Sequence, residues 1–123
     1  MTSPQTVSLR EKFELFDDHW SPKIVGELNG QQVKLAKISG EFVWHAHEHE
    51  DELFLVTQGR LIMRFRDGEA IIKVGEFIIV PRGVEHQPVA ATEEVWIMLF
   101  EPASTVNTGT AGGERTVTEL EHL

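Results

Sequence analysis

Four residues carry the chemistry in this sequence: His45, His47, Glu52 and His86. His45 and His47 lie two apart in the stretch 40–59, GEFVWHAHEHEDELFLVTQG, which otherwise alternates like a strand. Side chains two apart on a strand project from one face, so both imidazoles point the same way. A chain reversal just after them brings Glu52 alongside. Two imidazoles and a carboxylate offer borderline nitrogen and hard oxygen donors, with no thiolate to favour a soft ion, and this is a donor set for a divalent metal. A second stretch, 75–86, reads GEFIIVPRGVEH: a Gly turn, an apolar strand, a Pro-x-Gly turn, then His86. From an adjacent strand, His86 would complete a set of three His and one Glu. The competing reading of His-x-His is an ordinary polar strand face. His49, Glu50 and Asp51 read as a solvated bend between two strands.

The spacings are Gly40-x4-His45-x-His47-x4-Glu52-x6-Gly59 and Gly75-x5-Pro81-x-Gly83-x2-His86, with fifteen residues between the two halves. In this order they resemble the two motifs of the cupin superfamily. The resemblance covers the middle half of the chain. It implies an all-β fold, a double-stranded β-helix (jelly-roll) barrel, and a metal held by His45, His47, Glu52 and His86. A ligand pair built on His47 and His49 would break that spacing. The sequence departs from the family pattern twice. Four residues rather than five separate the first Gly and first His, and Gln87-Pro88-Val89-Ala90 follow His86 where the family has a closing Asn. The family includes epimerases with a tyrosine acid and dioxygenases with a Cys–Tyr crosslink. A chain with no Cys and no Tyr can use neither device.

The elements that must position these residues follow from local pattern. Ser8-x-x-Glu11 is a capping box, and Leu9, Phe13 and Phe16 repeat at helical spacing, which predicts a short N-terminal helix ending near Asp17-Asp18. Asn29-Gly30 between Ile24–Leu28 and Gln32–Ile38 predicts a hairpin, as does Asp67-Gly68 between Leu61–Arg66 and Ala70–Val74. Phe77–Val80 is a wholly apolar run closed by Pro81-Arg82-Gly83, and Val95–Phe100, too short for a buried helix, reads as a final central strand. In the metal stretch Val43 is expected to share the inward face with the histidines, and Phe42, Trp44 and Ala46 to face outward. On the return strand Glu52, Phe54 and Val56 face in, and Leu53 and Leu55 face out. The chain thus divides into an N-terminal segment 1–22, a barrel 23–101 and a tail 102–123. Composition alone makes the tail flexible, but Val106, Val117 and Leu120 are candidate anchors over the barrel, so partial order is expected.

At 123 residues the chain is long enough for one domain with a real core. Charged residues make up 25% and hydrophobic ones 41%, ordinary for a globular protein. The net charge of −9 disfavours nucleic acid and anionic membrane surfaces, since nothing basic is arranged to neutralise phosphates. The polar start MTSPQTVSLREKFELF lacks the apolar core of a secretion signal, so a cytoplasmic location is expected. Apolar outward residues (Phe42, Trp44, Leu53, Leu55) together with Phe13, Phe16 and Trp20 predict a homodimer.

The expected cavity wall is apolar: Val43, Phe54, Val56, Met63, Phe65, and either Trp96, Met98 and Phe100 or their strand neighbours. Such a wall suits a small organic molecule of modest polarity. Arg60, Arg64 and Arg66 read as a solvated outer face, with contact to a substrate carboxylate as the competing reading. Glu76 and Glu85 read as surface residues, with a supporting role behind His86 as their competing reading. The functional expectation is a small single-domain cupin that binds one divalent ion (Fe, Mn, Ni or Zn) and acts through it on a small organic substrate. The alternatives are a dioxygenase or sugar-isomerase-like enzyme, and a non-catalytic module that binds a small ligand or metal.

Overall fold

The computed structural model describes residues 3–123. One helix, α1 (Leu9–Phe13), precedes nine strands: β1 (Lys23–Leu28), β2 (Gln31–Ile38), β3 (Glu52–Gln58), β4 (Leu61–Phe65), β5 (Gly68–Ile72), β6 (Phe77–Val80), β7 (His86–Ala90), β8 (Val95–Pro102) and β9 (Glu121–His122). Hydrogen bonding arranges them in a six-stranded sheet, β6-β3-β8-β2-β1-β9, and a three-stranded sheet, β5-β4-β7. The fold is mostly β and of jelly-roll type. The expected closed barrel is an open pair of sheets, joined on one side only by the isolated bridges Glu41↔Val89 and His45↔His86. A full ladder fails there because the chain from Phe42 to His45 carries one residue too many for its partner. Phe42 N–H donates to Pro88 O, whereas His45 and His86 exchange both backbone bonds, so three steps on one side match two on the other.

Turn chemistry sets the rest. Asn29 and Gly30 both adopt positive φ (51° and 78°), the backbone of the tight hairpin that Asn-Gly favours. Gly59 (φ 81°) joins β3 to β4, and a Cβ there would lie 2.5 Å from the Glu94 carbonyl oxygen, so only glycine fits. Ser8 caps α1 by accepting from Glu11 N–H, as the capping box requires. The helix stops at Phe13, short of the expected Asp17-Asp18. The chain must then turn so that Phe16 lies on the sheet, where its carbonyl accepts from Lys37 Nζ at 2.7 Å.

The main core lies between the sheets: Ala36, Ile38, Phe54, Val56, Leu61, Met63, Ile72, Val80, Val95, Ile97 and Leu99. A second cluster, Phe13, Phe16 and Leu35 with Trp96 and Met98, covers part of the outer face of the six-stranded sheet. Phe13 stacks on Trp96 with centroids 4.8 Å apart. These aromatics are satisfied within the chain, which removes them from the expected dimer surface. The tail is tied down as well. Asn107 donates to Arg115 O and accepts from Val117 N–H, Thr108 is fully buried, and β9 pairs in parallel with β1. Among the described residues no helix is long and apolar enough to cross a membrane.

Candidate metal centre

The extra residue between Phe42 and His45 decides what faces inward. It reverses the alternation, so Phe42, His45 and His47 are buried, while Val43 is only partly so. The expectation of Val43 inside and Phe42 outside is therefore corrected. Phe42 packs edge-on against His45 (5.4 Å between centroids) and stacks on Trp20 (4.7 Å). Beyond the bend, β3 alternates as expected, with Glu52, Phe54 and Val56 buried. His86 opens β7 and is wholly buried.

The four residues come together: one donor atom from each of His45, His47, Glu52 and His86 lies within 4.8 Å of all the others, and all four residues are buried. His45 Nδ1 faces Val43 O at 2.8 Å and His86 Nδ1 faces Val84 O at 2.9 Å. Donation from Nδ1 to a carbonyl leaves Nε2 with a free lone pair directed into the cluster. Glu52 Oε1 is 2.8 Å from His47 Nε2 and 3.3 Å from His86 Nε2. Even so, neither contact has hydrogen-bond geometry, and all three atoms lack a hydrogen-bond partner among the described residues. An orphaned buried polar atom costs about 1–3 kcal/mol. Three of them converging on one point fit an ion, since bonds of about 2 Å to a shared centre set donors about 3–4 Å apart.

The electrostatics favour the same state. Burial, reinforced by His86, pushes the His45 imidazole down to about 4, so the ring stays neutral as a ligand must. Burial acts to raise the Glu52 carboxyl, but the His47 and His86 rings outweigh it and hold it below the ordinary carboxylate range. His49 and Asp51 are exposed, as a solvated bend requires, and Glu50 is half-buried.

A cavity of about 40 Å³ adjoins the cluster, bounded by Phe54, Ile97, Leu99, Phe42 and Trp20, with His45, Glu52, Glu101 and Asn107 as polar lining. Of the expected wall Phe54 borders it, and on β8 the second of the two expected sets does. On β8 the strand neighbours Ile97 and Leu99 face in, whereas Val56 and Met63 pack into the core. Sequence reasoning missed Trp20 as a lining residue. It holds φ at 64°, a strained value for a bulky side chain, while its Nε1 donates to Ser39 O at 3.0 Å.

It also missed Glu101 and Lys34. Both are almost wholly buried, and Lys34 Nζ donates to Glu101 Oε1 at 2.8 Å. Burial pushes the Glu101 carboxyl well up, the neighbouring Glu52 adds to this, and Lys34 opposes both. The usable signal was parity. Val95, Ile97, Leu99 and Glu101 form one face of β8, and the apolar run ended one residue before that face did. The arginines stand outside the cavity: Arg64 faces Glu41 and Glu69, and Arg66 lies over the Trp44 ring and pairs with Glu85. Glu76 accepts from Lys73 N–H.

Two facing sheets with a buried three-His, one-Glu cluster at their seam define the jelly-roll class with an interior metal-type site. A family model described as "Cupin domain" matches residues 31–100, more than half the sequence, and the chain belongs to the cupin family. The fold is similar to a cupin-2 domain containing protein from Shewanella frigidimarina, at TM-score 0.76 and 47% identity, over 78% of this chain and 93% of that one. It is also similar to protein NMB1881 from Neisseria meningitidis, at TM-score 0.72 and 28% identity, over 80% and 100%. Uncharacterized protein YdbB from Bacillus subtilis is 39% identical over 64 residues, 51% of this chain and 57% of that protein, so the match spans little more than half the relative's length.

Proposed function

We propose that the chain binds one divalent ion through His45, His47, Glu52 and His86 and acts through it on a small organic molecule held in the adjoining cavity. The observation that carries this reading is the set of buried, convergent donors that make no hydrogen bonds to one another. A bound ion of this kind supplies Lewis acidity and open positions for substrate or water. The chain's own part is to keep His45 neutral, hold the His45 and His86 imidazoles by their Nδ1 contacts, and exclude bulk water with Phe42, Trp20 and Phe54. With no arginine or lysine lining it, and room for about three waters, the cavity disfavours a sugar phosphate. Elemental analysis of untagged protein is expected to give close to one ion per chain. His86→Ala should lose most of it and His49→Ala none; equal losses would reject the ligand set.

We further propose that a second copy covers the outer face at β3 and β6. Phe77 and Ile79 are more than half exposed there, on the edge strand, opposite Leu55 and Leu53.

A further inference from the structure

The polar lining of the cavity extends past the ligand cluster, to Glu101 beside Glu52. Most other polar groups along its wall are already engaged. The Trp20 ring N–H goes to Ser39 O, and the Asn107 amide to Arg115 O and Val117 N–H. Glu101 is different. Its Oε1 takes the Lys34 ammonium, but Oε2 is buried and meets no N–H or hydroxyl donor among the described residues, its polar neighbour being the Glu52 carboxyl, an acceptor like itself. An apolar pair of similar volume would serve the fold as well as a buried ion pair does, and often better. Folding therefore gives no reason for Glu101, with Lys34 behind it, to stand in the cavity wall.

We propose that Glu101, fixed by Lys34, orients a small hydroxyl-bearing carbonyl compound in the cavity, its hydroxyl on Glu101 Oε2 and its carbonyl oxygen towards the His45–Glu52 end. The proposal rests on the metal reading above and adds to it the class of ligand. A hydroxyl both donates and accepts, so it satisfies Oε2 whether or not that oxygen carries a proton. The cavity of about 40 Å³ restricts the ligand to a handful of heavy atoms. Ile97, Leu99 and Phe54 contact its carbon skeleton.

Hydroxyacetone and 2-butanone test this, because they match in size and differ by a hydroxyl in place of a methyl. Zinc is loaded first, and its uptake is measured separately from probe binding. Calorimetric titration of the zinc-loaded protein is expected to favour hydroxyacetone about tenfold. In the double variant Lys34→Met/Glu101→Leu the preference should vanish while zinc content stays the same. Glu101→Gln keeps the shape and still offers the hydroxyl an amide partner, so a reduced preference of about threefold should remain. This variant serves if the double one does not fold. A preference unchanged in either variant overturns the proposal, as does zinc-loaded wild type that binds both ketones alike or neither. Failure of the wild type to take up zinc would instead reject the metal reading, and this inference with it.

Discussion

The two ends of the interior are built on opposite principles. Val56, Leu61, Met63, Ile72 and Val95 fill one end, all apolar and almost without exposure. The other end buries three histidines, two glutamates and a lysine around a cavity, and leaves four of their polar atoms without partners. The first arrangement gains free energy from area and close packing. The second gives some of it up to hold donors in place, a cost that only a bound group repays. The lesson is that both ends share strands. β3 runs from Glu52 in the cluster to Val56 in the core, and β8 from Val95 in the core to Glu101 at the cavity. The filled end is the rigid mount of the unsatisfied one.

That division can be broken from either side. The largest effect is expected at the filled end: Leu61→Ala should cost about 4 kcal/mol of folding stability while metal stoichiometry stays unchanged. Urea unfolding alongside elemental analysis checks both halves, and joint loss of metal and stability would show that the two ends are not separable.

The next effect belongs to the cluster without its ion. His45 remains neutral in the folded chain down to about 4, whereas in the unfolded chain it takes a proton near 6.5. Between those values the unfolded chain binds the extra proton, so its stability relative to the folded chain rises as the pH falls. Chelator-treated protein should therefore hold its full stability above about pH 6.5 and lose about 3 kcal/mol by pH 4 from this ring alone. Glu52, held low, adds loss in the same direction at still lower pH. Equal urea midpoints at about pH 7 and about pH 4.5 would contradict the burial argument.

The smallest effect on folding is expected outside both ends. Phe77→Glu on the exposed sheet face should change chain stability by no more than about 0.5 kcal/mol. It should nevertheless shift the light-scattering mass from twice the 13.9 kDa chain towards a single chain. Wild type already at the single-chain mass would remove the proposed second copy.

Much of this was legible beforehand, for local reasons. The capping box, the Asn29-Gly30 hairpin and the apolar alternation of β3 and β8 act over a few residues and appear where their chemistry requires. The second hairpin turns one residue early, at Arg66-Asp67, with Gly68 already paired to Phe65. The four cluster residues were legible from spacing, as the geometry that gathers them shows. What could not be read was non-local. The inward turn of Phe42 depends on how many residues its partner strand offers, and the depth of Lys34 and Glu101 depends on two strands meeting. Phe13 and Phe16 read equally well as a surface for another molecule until the face of β2 that covers them is known.

The surplus residue between Phe42 and His45 works like a shift in reading frame along a strand. Whatever the side chains there, the number of residues from Gly40 to His45 decides which of them face the interior. Conservative exchanges at Val43 or Trp44 leave that frame intact. Removing either one would restore the ladder and set Phe42 two residues from the first histidine, both still facing the interior, with one side chain instead of two standing outside between them. In this segment the length of the chain, and not the identity of its side chains, sets how many of them stand outside, and substitutions alone would never reveal it.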